Sequence, residues 1–376
     1  MPKHTLNIVA VLFIFYVGLN KGLEISSSEN YNAFDGSYYA DIAENVSNGT
    51  GFKTDISSFD QNLKSLPRVS AVYPLWPMLG GELSRLFPDS IEFDKKLRYI
   101  NVFIACMAMW FLFLIYKRLT EYQALALIGL YSFSSSIIWK RYIASTYTEP
   151  LTFLMVFLSI FLIVEYIQNK RWSCYPAWMG GFIGLILGFS FLARSQSILF
   201  IVITAVFLVI FWKQEKISFR FLISLTLALV TVGASFVIWR VSDSTEHMTF
   251  KSLFIFQENY DYSLFQPLSH GSEEPLFIKL REGLLTFFSF GDHGGASNSG
   301  LFIFTFVPCL LFLKKFSLFQ KWIICIGLIY LVSLLPSKMS IASPWLFGHR
   351  HGILIVLLTV GATIFSVDCF LKSKPK

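Results

Sequence analysis

Charge is scarce in this chain. Only 15% of its 376 residues are Asp, Glu, Lys or Arg, too few to clothe a soluble globule of that length, whereas 54% are hydrophobic and 17% aromatic. Cysteine is scarce too. The five thiols, Cys106, Cys174, Cys309, Cys325 and Cys369, have no metal-type spacing, and their places in or beside apolar segments imply no disulfide framework. Ionisable residues are missing from the middles of the apolar runs, since Glu165 and Asp368 fall towards one end of theirs and Arg194 towards the other. No internal repeat accompanies them. Both absences count against a secondary transporter, which needs midplane charges or paired broken helices. A basic stripe with interleaved aromatics is absent outside the runs, so the formal charge of +7 does not mark nucleic-acid binding.

What is present is apolar residues in long runs. A helix crosses the hydrocarbon core with about 20 apolar residues, or about 17 when its ends are anchored. Ten segments meet that measure: 5–21, 99–116, 122–138, 149–167, 177–196, 198–212, 219–239, 300–313, 321–336 and 347–369. The fold class is therefore an all-α polytopic membrane protein with about ten transmembrane helices, nine to eleven, in one domain over 1–376. With the N-terminus in the cytoplasm, the inner segments carry fourteen basic residues, from Lys3 through Lys117 and Arg118 to Lys372, Lys374 and Lys376. The short outer loops carry five, Lys140, Arg141, Arg194, Lys338 and Arg350. That asymmetry follows the positive-inside rule and places both termini inside. Pro2-Lys3-His4 precedes the first run as in a secretory signal, but no small-x-small cleavage site follows in "VGLNKGLEISSSEN", which makes it a retained span.

Two outer segments are long, 22–98 and 240–299, and they hold 19 of the 24 acidic residues. Function is expected on that face. In "FDGSYYADIAENVSNGTGF" (34–52), Tyr38, Tyr39, Ile42, Ala43 and Val46 recur at helical spacing, with Asp41, Glu44 and Asn45 on the other side. Asn48-Gly49 suits a left-handed helix end, and the whole reads as a short helix at the membrane surface. Asp35 at its head suits an N-cap. A second surface helix is predicted in "YPLWPMLGGELSRLF", with Leu75, Leu79, Leu83 and Leu86 sharing a face. Asn45-Val-Ser47 and Asn48-Gly-Thr50 would accept glycans only in a eukaryotic lumen.

Taken in order, the first span, Asp35 with "YY", "YPLWPMLGGELSRLF", "STYTEPLTFLMVF" (145–157), "GLILGFSFLARSQSILF" (184–200), "SNSGLFIFTFVPCLLFL" (297–313) and "FGHRHGILIVLLTV" (347–360) resemble the GT-C glycosyltransferases. These are the polyprenyl-phosphate-sugar-dependent membrane enzymes related to protein O-mannosyltransferases and lipid A aminoarabinose transferases. The resemblance implies a membrane glycosyltransferase that moves a sugar from a polyprenyl-phosphate donor to a lipid, glycan or protein acceptor on the periplasmic or lumenal face, with inversion. It implies for Asp35 the part of catalytic base towards the acceptor, or of ligand to a divalent metal, and for Arg350 contact with the lipid phosphate. Many relatives carry a second acid after the first, but here Gly36 and Ser37 follow, so a two-carboxylate metal site is not implied and a divalent metal stands as an option beside no cofactor at all.

Chemistry supplies further candidates. An acceptor hydroxyl loses a proton as it attacks, which a carboxylate assists, and a departing phosphate is stabilised by a held cation, for which arginine's planar fork is suited. The outer-face cations Arg350, Arg194, Lys140 and Arg141 are therefore substrate-binding candidates, with snorkelling at the interface the plainer alternative. His349 and His351 flank Arg350, His293 sits in "GDHGG", and Tyr38 and Tyr39 complete the set. Glu149 in "TEP" reads as a helix-start acid favoured by the dipole. A non-catalytic subunit on the same scaffold, and a polymerase or transporter of lipid-linked glycans, are the alternative functions. The compact chain without an appended soluble domain favours a bacterial inner membrane, while the tail Lys372-Ser373-Lys374-Pro375-Lys376 also suits retrieval to the endoplasmic reticulum.

Overall fold

The computed structural model describes residues 3–27, 34–54, 68–69, 74–135, 139, 143–169, 172–194, 197–243, 309–340 and 353–373; at some helix ends, that of Asp35 among them, only the backbone is described. Apart from a two-residue antiparallel ladder, β1 (Lys53–Thr54) with β2 (Arg68–Val69), the regular structure is helical. The chain runs α1 (Lys3–Ser27), α2 (Phe34–Ser47), α3 (Leu75–Ser84), α4 (Phe93–Leu119), α5 (Ala124–Ser135), α6 (Glu149–Gln168), α7 (Pro176–Ala193), α8 (Ser197–Lys213), α9 (Phe219–Asp243), α10 (Leu318–Ser340) and α11 (Ile353–Ser373).

Each predicted apolar segment except 300–313 coincides with one of these helices, and of that one only 309–313 is described, with 309–312 as helix. Among the described residues five helices, α1, α4, α6, α7 and α9, are both long and apolar enough to cross a bilayer. Helices α5 and α8, with 12 and 17 residues, are apolar but shorter. Large apolar side chains face outward where lipid would meet them: Leu12, Phe15 and Tyr16 on α1 are 61 to 66% exposed, and Leu227 and Ile238 on α9 are 63 and 68% exposed.

Helix boundaries follow from local chemistry. Asp94 stands in the first turn of α4 and Lys117 and Arg118 in its last, the placement that complements the helix dipole. Pro150 and Pro176 occupy the first turns of α6 and α7, where the missing amide would have no intrahelical partner. Helix α4 is the central post, touching α1, α2, α3, α5 and α6. Its neighbours are tied to one end of it by polar contacts. Lys117 Nζ donates to Asn7 Oδ1 at 2.7 Å, Arg118 pairs with Glu165 at the end of α6, and Gln320 Nε2 at the start of α10 donates to Leu119 O at 2.8 Å. Asp368, fully buried near the end of α11, accepts from the amides of Glu121 and Tyr122 at 2.9 and 3.2 Å. The start of α1 and the end of α11 therefore share one end of the bundle.

The closest helix contact is α7 against α9. A β-carbon on Gly180 would stand 2.2 Å from Phe221 O, one on Gly184 2.3 Å from Leu225 O, and one on Gly188 2.7 Å from Val232 Cβ. Three glycines spaced by four residues lie on one face of α7 and let the two backbones meet, the small-residue packing that membrane helices use where lipid supplies no hydrophobic drive. The Gly-rich character of this segment is thus a helix-helix seam.

Candidate functional site

At the opposite end of the bundle, the short helices α2 and α3 lie against α4 and against each other. Helix α2 has the expected face: Tyr38, Ile42 and Ala43 are buried at 7, 0 and 0% exposure. Its end also follows the sequence, with Gly49 at φ +78° in the left-handed region and its amide donating to Val46 O at 3.0 Å. Asn45 departs from the expected polar face. It is buried, and its Nδ2 donates to Lys53 O at 3.3 Å, which ties β1 back to the helix and withdraws Asn45 from any glycan acceptor role in the folded chain.

The predicted leucine face of α3 is met in part. Leu75, Leu79 and Leu83 are partly buried and pack on the main core, while Leu86, beyond the end of the helix, is 78% exposed. The most buried residues are Trp76, Pro77, Gly80, Gly81 and Ser84. Close approach accounts for the glycines: a β-carbon on Gly81 would stand 2.5 Å from Ala43 O of α2, and one on Gly80 3.0 Å from Leu97 Cδ2 of α4. Arg85 then closes the join. Its guanidinium donates to Ser47 O at 2.9 and 3.1 Å and to Val46 O at 3.2 Å, satisfying carbonyls at the end of α2 where a cation is favoured.

Residues 143–148 form the hub of this end. Trp76 Nε1 donates to Thr146 O at 2.6 Å, and Thr146 Oγ1 donates to Gly36 O at 2.9 Å. Asn101 Nδ2 donates to Ser145 O and Tyr147 O at 2.6 and 2.8 Å, and Arg98 Nε donates to Ala144 O at 2.8 Å. Carbonyls of an irregular buried segment need such donors, and α3 and α4 supply them. Through Thr146 the hub grips the backbone next to Asp35.

Directly after the hub comes the site's buried ion pair. Glu149 begins α6 with its side chain 3% exposed, and Arg194, just past the end of α7, pairs with it with its own side chain 16% exposed. The dipole reading of Glu149 thus understates it. A carboxylate this buried requires a cation, and Arg194, one of the cations predicted for this face, supplies it.

Asp35 falls in the first turn of α2, one residue inside the start at Phe34 rather than at the cap; its side chain is outside the described part of the structure, as are Lys140, Arg141, His293, His349, Arg350 and His351. Tyr38 is buried in a small cluster with Ile42 and Phe52, with Val46 and Trp239 packed on it; Tyr39 packs at the edge of the main core. Arg98, Asn101, Trp76 and Thr146 were not among the sequence candidates. The signal was present in "RYIN", where an arginine and an asparagine open an apolar run that offers them no solvent.

Among the described residues no three His, Cys, Asp or Glu side chains gather as a metal site. Asp41 on α2 is half-buried and Glu44 exposed. The described residues do not fit a metal.

The long apolar helices and their outward-facing apolar side chains mark an integral membrane protein, and their arrangement has a counterpart among solved structures. The structure is similar to that of the Archaeoglobus fulgidus oligosaccharyltransferase in complex with Zn and sulfate, with a TM-score of 0.62, 11% identity, and 98% of this chain matched to 49% of that one. It is also similar to that oligosaccharyltransferase tethered by a disulfide to an acceptor peptide containing the NVT sequon, with a TM-score of 0.52, 11% identity, and coverage of 96% and 49%. The chain spans about half the length of the oligosaccharyltransferase chains it matches, and the likeness is one of fold. No protein-family model and no curated protein matches the sequence.

Proposed function

We propose that the protein is a ten-span membrane glycosyltransferase that takes a sugar from a polyprenyl-phosphate donor and passes it, with inversion, to an acceptor on the outer face. The observation that carries this reading is the Thr146–Gly36 hydrogen bond within a GT-C-type scaffold. It holds the head of α2, and with it Asp35, against the segment that starts α6. In the proposed step the acceptor oxygen bonds to the anomeric carbon while the bond from that carbon to the phosphate oxygen breaks. The acceptor proton passes to the Asp35 carboxylate, and the lipid phosphate leaves with its negative charge met by the Arg350 and Arg194 guanidiniums. Asp35 is assigned this part alone, because Gly36 and Ser37 follow it.

The test is transfer from a panel of radiolabelled polyprenyl-phosphate sugars by purified full-length protein, beside Asp35→Asn at matched folding. A general base contributes about 10²- to 10⁴-fold, so the variant is expected to lose at least about a hundredfold in rate. The Gly36-Ser37 departure favours one second reading, a non-catalytic subunit on the same scaffold. Donor consumption by neither protein would select it, and an unimpaired Asp35→Asn would remove Asp35 from catalysis.

A further inference from the structure

A cleft of about 440 Å³ opens at the bundle end that holds the start of α1 and the end of α11, far from the site above. Arg118, Lys315 and Lys372 line it, with the Ser317 and Ser373 hydroxyls and no carboxylate. The acids that answer two of these cations stand behind them. Glu165, 8% exposed, pairs with Arg118; Asp368, fully buried, lies 2.8 Å from Lys372, which also reaches the exposed Glu121 at 3.3 Å. The cations themselves face outward, with side chains 51% exposed for Arg118 and 42% for Lys372. Lys315 has no carboxylate partner among the described residues; its ammonium lies 5.6 Å from the Phe312 ring.

A planar guanidinium, two ammonium groups and two hydroxyls around one opening match the oxygens of a phosphate. The surroundings add an apolar arm. Leu310, Leu311 and Leu313, just before Lys315, are 53, 76 and 39% exposed, which gives acyl chains a track beside the cations. We propose that this cleft binds the phosphate headgroup of an anionic membrane phospholipid. A basic pocket between helix ends is the physical form such recognition takes.

The experiment is native mass spectrometry of delipidated full-length protein in detergent, titrated with phosphatidylglycerol, phosphatidylcholine or inorganic phosphate. Phosphatidylglycerol is expected to bind in preference to phosphatidylcholine. Lys315→Gln should weaken it about fivefold, the effect of one lysine near an anionic headgroup, while Lys315→Arg retains binding. Lys95→Gln, the same charge change at the other end of α4, should leave it unchanged. Lys315 is exposed, so an unaltered elution profile serves as the folding control. Equal binding of the two lipids, or wild-type affinity in Lys315→Gln, overturns the proposal. So does displacement of phosphatidylglycerol by an equal concentration of inorganic phosphate, which would assign the cleft to free phosphate.

Discussion

Glu149→Gln offers the sharpest test of how the α2–α3 end of the bundle is held. The carboxylate is 3% exposed and its partner guanidinium 16%, so neither charge has bulk water to fall back on. Removing one member of such a pair strands the other, at a cost of about 3–5 kcal/mol. Replacing both with neutral groups of similar size is far cheaper, because the desolvation of both charges disappears along with their attraction. Glu149→Gln alone and Arg194→Met alone are therefore each expected to destabilise by about 3 kcal/mol or more, while the double variant lies within about 1–2 kcal/mol of wild type. The assay is equilibrium unfolding of the purified protein in mixed micelles, monitored through tryptophan fluorescence. Two single effects below about 1 kcal/mol that simply add would show that the contact carries no coupling and refute the reasoning.

Two further predictions concern the joints between helices. Gly184→Val puts a branched side chain where a β-carbon alone would stand 2.3 Å from Leu225 O, so α7 and α9 must separate; overpacking of this kind costs about 1–3 kcal/mol or more, and Gly181→Val, whose β-carbon would meet nothing within 4 Å, serves as its near-neutral partner in the same unfolding assay. Trp76→Phe keeps most of a buried ring but leaves Thr146 O without its 2.6 Å donor. A loss of about 1–3 kcal/mol is expected, together with faster proteolysis of the first outer loop in intact vesicles; unchanged protection would show that Trp76 does not hold α3 to the hub.

The helices were legible because apolar runs of that length have few other uses, and among the described residues helices stand where the runs predict them, five of them long and apolar enough to cross a bilayer. The α2 face was legible for a similar reason, since Tyr38, Ile42 and Ala43 repeat at helical spacing. The face of α3 was legible only in part. Its leucines outline a stripe that packs partly on the core, but the most buried positions are set by close neighbours that the stripe does not reveal, Ala43 of α2 against Gly81 and Leu97 of α4 against Gly80. Glu149 was read through its own helix alone. Its partner lies 45 residues on, at the end of α7, and no local pattern announces a pair of that separation. The hub donors Arg98 and Asn101 were hidden likewise, because an asparagine in an apolar run shows that a partner is needed without showing which carbonyl supplies it.

The Thr146–Gly36 contact spans 110 residues of chain, and Trp76–Thr146 spans 70. During synthesis at about 5–20 residues per second, the Asp35 segment emerges roughly 5–20 seconds before the residue that grips it. In that interval the first loop is without its anchor. Its final position is reached only when the helix beginning at Glu149 arrives, so assembly of this end is ordered in time from α4 towards α7. A chain released before Arg194 would carry the first loop without the Glu149–Arg194 pair.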